Sequence, residues 1–244
     1  MKITYQDINI VYEDNHVLVV VKPQNVPTQE DKTGDPDMLT LLKQYLKEKY
    51  NKEGNVYLGL VHRLDRPTGG VMVFAKTSKA AERLSESLRN GEMEKRYLAV
   101  ACGKMEKDSE ILENYLYKYE SLNIVKVVPE ATKNAKKATL KYWTFDRKEF
   151  GEEAFSLLWI KLHTGRSHQI RVQLQNIGHP IAGDVKYGEN KSKANFPLAL
   201  WACELRFPHP VTKSTMVFRV YPDVEQFPYK LFDIDTYLRL TVRN

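Results

Sequence analysis

His62-Arg63-Leu64-Asp65-Arg66-Pro67-Thr68-Gly69-Gly70 is a polar loop set between two apolar runs, residues 57–61 and 71–75. A carboxylate with an arginine on either side, at the mouth of two expected strands, sits where α/β and α+β enzymes tend to keep their chemistry. The same run also reads as a turn, because Asp accepts local backbone hydrogen bonds and Gly supplies positive φ. Spacing alone leaves both readings open.

Upstream, residues 8–12 and 17–21 are β-rich runs separated by the polar turn Glu13-Asp14-Asn15-His16, a hairpin or two successive strands. Lys22-Pro23 closes the second run, since proline cannot donate to a ladder. Residues 29–36 form a polar loop. Residues 37–50 place Leu39, Leu42, Tyr45 and Leu46 at helical spacing with lysines opposite, an amphipathic helix for packing on a sheet. Residues 56–61 then carry the chain into the central loop.

Downstream, residues 71–75 suit a buried strand, Thr77 or Ser78 caps a helix that runs to Asn90 and ends at Gly91, and a strand follows over 94–101. Residues 104–108 and the tyrosine-rich stretch 115–119 carry little pattern. Lys133-Asn134-Ala135-Lys136-Lys137 leads into a strand over 138–145 and reads either as a solvated hairpin loop or as a contact for phosphates. A strand over 155–162 delivers His163-Thr164-Gly165-Arg166-Ser167-His168-Gln169-Ile170-Arg171, beyond which Ile170, Leu174 and Ile177 follow helical spacing until Gly178. That polar cluster stands at a strand-to-helix junction, where unpaired N–H groups suit an anion. Strands over 198–207 and 216–220 and an amphipathic stretch over 227–240 complete the pattern.

The chain has 244 residues, 42% hydrophobic and 28% charged, a globular rather than a disordered composition and long enough for one large domain or two small ones. Lysine and arginine outnumber acids by 37 to 31, a net charge of +6 that fits a polyanionic partner without requiring one. Cys102 and Cys203 stand alone among apolar residues, which argues against a zinc site or a disulfide framework. Walker and dinucleotide fingerprints are absent from the sequence. No apolar run approaches a membrane span, and the N-terminus lacks a signal-peptide core, so the expected location is the cytoplasm.

The order of residues in the central loop, His-Arg-Leu-Asp-x-x-Thr-x-Gly, resembles the active-site motif of the RluA-type RNA pseudouridine synthases. Thr164-Gly165-Arg166-Ser167-His168-Gln169-Ile170-Arg171, followed by Gly178-His179-Pro180-Ile181, Gly183-Asp184 and Tyr187-Gly188, is similar to a further motif of that family. The resemblance extends from about residue 11 to about residue 220. Four places depart from the family pattern: Gly69 where Ser is usual, Gln173 where many members carry His, Gln24-Asn25 after Lys22-Pro23, and Pro27-Thr28-Gln29 downstream.

The resemblance implies an α+β pseudouridine synthase fold, a long bent mixed β-sheet flanked by helices and loops with a central active-site cleft. It implies one catalytic domain over residues 1–244, without the N-terminal RNA-binding S4 domain that some members carry. The activity implied is isomerisation of uridine to pseudouridine in a structured RNA, ribosomal or transfer, with neither cofactor nor metal. Asp65 is then the catalytic carboxylate, and Tyr97, in a Lys-x-Tyr-x-Ala context, the acceptor or relay of the C5 proton. A carboxylate in a closed pocket needs a cation to stay ionised; Arg166 is the candidate, with Arg171 in reserve.

Arg63 is placed to fill the stack vacated by an extruded uridine. His62 is expected to brace the loop or a neighbouring phosphate, and Arg171, Lys133, Lys136 and Lys137 are the candidate RNA contacts. The resemblance also implies that Lys22 belongs to the floor beside the site. A monomer without an obligate protein partner is expected. Two other classes compete: a non-catalytic RNA-binding module or RNA chaperone on the same scaffold, and a hydrolase using Asp65 as nucleophile. The hydrolase needs a second acid, for which Asp184 is the available motif residue.

Overall fold

A computed structural model describes residues 3–188 and 196–241. In chain order the elements are β1 (Asn9–Glu13), β2 (Val17–Lys22), α1 (Met38–Lys49), β3 (Gly59–Leu60), β4 (Gly69–Ala75), α2 (Ser78–Arg89), β5 (Glu94–Cys102) and β6 (Ser109–Tyr119). They continue with β7 (Ile124–Val128), β8 (Lys136–Phe150), β9 (Glu153–Leu162), α3 (Gln169–Asn176), β10 (Leu200–Pro208), β11 (Thr215–Arg219) and α4 (Ile234–Thr241). This is an α+β chain with two compact units, Met1–Lys95 with Ala202–Val220, and Arg96–Trp201 with Tyr221–Asn244.

In the first unit the strands run β1-β2-β4-β10, with β3 on β4 and β11 on β10. Every residue of β4 is buried and β2 nearly matches it, the pattern of strands covered on both faces. Val17, Val19, Val71 and Val73 pack there with Leu84 of α2 and Leu205 and Phe207 of β10. The hairpin turn is closed by Asp14, whose side chain accepts the N–H groups of His16 and Val17 at 2.7 and 2.8 Å and whose own N–H donates to Val17 O at 3.1 Å. Both helices start at side-chain caps: Asp37 accepts from Thr40 N–H, and Thr77 from Ala80 N–H.

Glu13 fastens α1 to this sheet. Its carboxylate, 7% exposed, accepts from Tyr45 Oη at 2.9 Å and from Lys49 Nζ, Tyr50 Oη and Lys76 Nζ at 2.7 Å each. Burial raises its pKa, but the four donors outweigh burial and hold it at about 2.

In the second unit the order is β5-β9-β8-β6-β7, and the β6–β7, β6–β8 and β8–β9 pairs are antiparallel. α3 sets Val172 against Leu116, Val125 and Ala138. β6 was not legible in the sequence: Leu112 and Leu116 are buried, but the alternate positions are tyrosines, Ile111 and Glu113, which blur the two-residue period. The strand expected over 56–61 shrinks to Gly59–Leu60 for a reason that lies in the central loop.

Glu13→Gln should lower stability near neutral pH. Because the folded pKa lies below the ordinary 4.5, the wild-type contribution is complete above about pH 4.5 and disappears as pH falls through about 2. Urea unfolding across that window should therefore show a flatter acid slope in Glu13→Gln. Parallel slopes would mean that the carboxylate is not held as described.

Candidate active site

The central loop begins where β3 parts from β4. After Leu60 pairs with Phe74, the His62 ring takes over the ladder, its Nε2 accepting Val73 N–H at 3.2 Å. Burial, with a contribution from the Lys95 charge, lowers the His62 pKa to about 3. The ring is therefore neutral at physiological pH and carries its proton on Nδ1, which meets no acceptor among the described residues. Of the two roles expected for His62, bracing the loop is the one this geometry performs.

Four successive carbonyls then acquire donors. Leu64 O accepts from Thr28 Oγ1 at 2.9 Å, Asp65 O from Thr68 N–H at 3.0 Å, Arg66 O from Lys22 Nζ at 3.0 Å, and Pro67 O from Gln24 Nε2 at 3.1 Å. Three of the four donors come from the single segment between Lys22 and Thr28. The loop is thus held through its backbone.

Lys22 is the centre of this arrangement. It is fully buried, and its Nζ also donates to Pro23 O at 2.9 Å and Val26 O at 2.7 Å, so three carbonyls match the three N–H groups of an ammonium. Burial depresses its pKa to about 7, opposed by the negative charge of Asp65. Below about pH 7 Lys22 is thus a buried cation within electrostatic reach of Asp65 in the same unit.

Gly70 stands opposite Lys22 in the β2–β4 register at φ +126°, and a Cβ there would lie 2.2 Å from Ala202 O. The second glycine of the pair therefore serves a close backbone approach inside a strand rather than a turn. Of the arginines flanking Asp65, Arg66 is committed to the polar loop upstream, donating to Asn25 O at 3.1 Å, Thr33 Oγ1 at 3.0 Å and Asp35 at 2.5 Å. Arg63 is exposed and makes no hydrogen bond or ion pair with the described residues. Asp65 itself is half-buried.

The second unit carries the remaining candidates. Tyr97 is buried in β5. Arg166 is exposed, with Nε donating to Lys137 O at 3.0 Å and its own N–H to Gln169 Oε1 at 3.1 Å. Lys133 and Lys136 are exposed in and beside the β7–β8 hairpin, and Lys137 pairs with Glu113 at 3.4 Å.

Arg171 requires a correction. It is 4% exposed and grips Asp184 through two bonds of 2.7 Å, with its guanidinium 5.0 Å from the centre of the Tyr187 ring. A bidentate buried pair leaves neither a reserve cation nor an RNA contact; both residues tie α3 to the following loop. Asp184 is likewise removed from consideration as a leaving-group acid. Gln173, at one of the departures from the family pattern, is fully buried and donates to Leu112 O, Asn114 Oδ1 and Ala138 O.

Two further residues belong to the site without having stood out in the sequence. Thr28 carries a loop carbonyl, and Lys95 is a half-buried lysine beside His62 whose pKa burial lowers. The Lys-x-Tyr context was the signal for Lys95. Thr28 lies in Pro27-Thr28-Gln29, a stretch marked only as a departure from the family pattern. Among the described residues no group of three His, Cys, Asp or Glu side chains is arranged to hold a metal ion, and no helix is long and apolar enough to cross a membrane.

A carboxylate on a backbone-anchored loop, with a buried ammonium near it and an exposed arginine two residues away, suits chemistry on a polyanion. The family model described as RNA pseudouridylate synthase matches residues 16–176, a span that contains Asp65, Tyr97 and Arg166. The chain belongs to this family, that of the RluA-type RNA pseudouridine synthases. It is 34% identical to an uncharacterized RNA pseudouridine synthase of Aquifex aeolicus over 87% of this chain and 69% of that protein. It is 30% identical to tRNA pseudouridine synthase C of Vibrio vulnificus over 93% of this chain and 94% of that protein. In fold it is similar to human RNA pseudouridylate synthase domain containing 1, with a TM-score of 0.76 at 20% identity over 98% of this chain and 96% of the other.

Lys22→Met keeps an unbranched side chain one atom shorter but strips the donors from three carbonyls. At about 1 kcal/mol or more for each unsatisfied group, the loss should reach about 3 kcal/mol in denaturant unfolding. A loss below about 1 kcal/mol would show that those carbonyls find other partners.

Proposed function

We propose that Asp65 is the catalytic residue of a cofactor-independent isomerase that converts specific uridines in structured transfer or ribosomal RNA to pseudouridine. The observation that carries this reading is a loop fixed through its carbonyls, with a half-buried carboxylate beside a buried ammonium, inside the span matched by the family model. The reaction breaks the C1′–N1 bond of the nucleotide, turns the uracil and joins C1′ to C5, after which the C5 proton leaves and N1 gains one. Asp65 enters by attack at C1′ or by removal of the 2′ proton, and either route needs it ionised.

Tyr97, buried and aromatic, is proposed to take or relay the C5 proton, and Arg166 to approach the reacting nucleotide as a second cation. Arg63, exposed and unpaired among the described residues, is proposed to fill the gap in the RNA stack once the uridine swings out. Lys133, Lys136 and Lys137 are proposed phosphate contacts around the same RNA. Residues 1–244 are read as one catalytic domain working as a monomer in the cytoplasm, without an obligate protein partner. The likeness to a transfer RNA enzyme over nearly the full length of both chains supports transfer RNA as the first substrate to examine.

The test is a map of pseudouridine in total RNA from cells with the gene, without it, and with Asp65→Asn in its place. One or a few sites should vanish with the gene and stay absent with Asp65→Asn, while purified Asp65→Asn binds RNA within a few-fold of wild type and turns over at less than a tenth of its rate. An unchanged map, or restoration by Asp65→Asn, would remove the assignment.

A further inference from the structure

The sheet of the second unit has one face packed on α3 through Leu116, Val125 and Ala138. The register defines the opposite face. Tyr117 pairs with Lys126, Tyr115 with Lys137, Ile111 with Lys141, and Lys141 with Lys161. Because side chains alternate along a strand, all of these point away from α3.

The C-terminal segment covers part of this second face, beyond the irregularity in β8 at Thr144–Asp146. Phe227 packs on Phe150 and Phe155, and Tyr237 stacks on Phe145. Before the irregularity the face stays open, with Ile111 55% and Tyr119 40% exposed.

Two lysines on the open part are braced without being neutralised. Lys141 Nζ lies 4.7 Å from the centre of the Trp143 ring, and Lys126 Nζ lies 5.9 Å from that of Tyr119. Neither has a carboxylate partner among the described residues, while Glu113 on the same face is already used by Lys137 and by Thr139 Oγ1 at 3.3 Å. A lysine held against a ring has less freedom to lose when it meets a ligand, yet keeps its charge.

We propose that this open half-face is a docking surface for the ribose-phosphate backbone of the substrate RNA away from the reacting uridine, with Lys126 and Lys141 as phosphate contacts. The proposal rests on the reading that the substrate is RNA. Charge complementarity selects that occupant, since lysine is depleted from the cores of protein interfaces, whereas a polyanion gains from each uncompensated ammonium. Both lysines lie outside the catalytic set, so they act on affinity rather than on chemistry.

The experiment compares the full chain with Lys126→Ala/Lys141→Ala and with Lys126→Arg/Lys141→Arg, using an unmodified bacterial transfer RNA transcript. RNA affinity is measured across a salt series, and pseudouridine formation is measured at saturating enzyme. The alanine pair should reduce the log–log salt slope by about 1.4 to 1.8, at ~0.7–0.9 for each phosphate that is no longer neutralised. The arginine pair should restore the slope, and the saturating rate should stay within twofold throughout.

An unchanged slope in the alanine pair, with wild-type activity intact, overturns the docking surface alone. A reduced slope with no pseudouridine formed by wild type leaves the surface standing and removes the isomerase reading instead. Loss of binding to anionic phosphatidylglycerol vesicles, with the RNA slope unchanged, overturns the surface in favour of a membrane.

Discussion

The ammonium of Lys22 at the end of β2 is the interaction on which the rest of the site depends. A buried charge is costly unless every hydrogen finds an acceptor, and here Pro23, Val26 and Arg66 supply three carbonyls. The arrangement cuts both ways. It satisfies the lysine, and it welds two loops that are distant in sequence into a single unit, with Thr28 and Gln24 extending the weld to Leu64 and Pro67. Asp65 thereby gains a rigid backbone and a nearby positive charge from the same side chain.

The surroundings are shaped to permit that weld. β2 and β4 are apolar because they are covered on both faces, and Gly70 lacks a Cβ because the Ala202 backbone occupies the space. His62 ends β3 early by capturing the Val73 N–H, freeing the chain to rise into the loop. In the second unit the Arg171–Asp184 pair does comparable work, fixing α3 so that Arg166 leaves the preceding junction towards solvent.

Much of this was legible in the sequence, for identifiable reasons. The hairpin at Asp14, the cap at Thr77 and the all-apolar β4 are local signals, and local signals survive folding. β6 escaped because its outer positions are aromatic or apolar, so alternation could not be seen. The central loop and the motif around Arg166 were found through family resemblance. What residue type could not reveal was direction: Arg171 looks like any surface arginine until Asp184 is placed against it, and Lys22 looks like a solvated strand end until three carbonyls surround it. Burial of long polar side chains is a tertiary property, and the one-dimensional pattern carries no trace of it.

The central claim is that the backbone hold on the loop sets the reactivity proposed for Asp65. Thr28→Val tests it most directly, because it keeps the side-chain shape and removes only the donor to the Leu64 carbonyl. Single-turnover pseudouridine formation on a transfer RNA transcript should slow by about tenfold, equivalent to ~1.4 kcal/mol in the barrier, while RNA affinity stays within twofold. An unaltered rate with the carbonyl left bare would contradict the account.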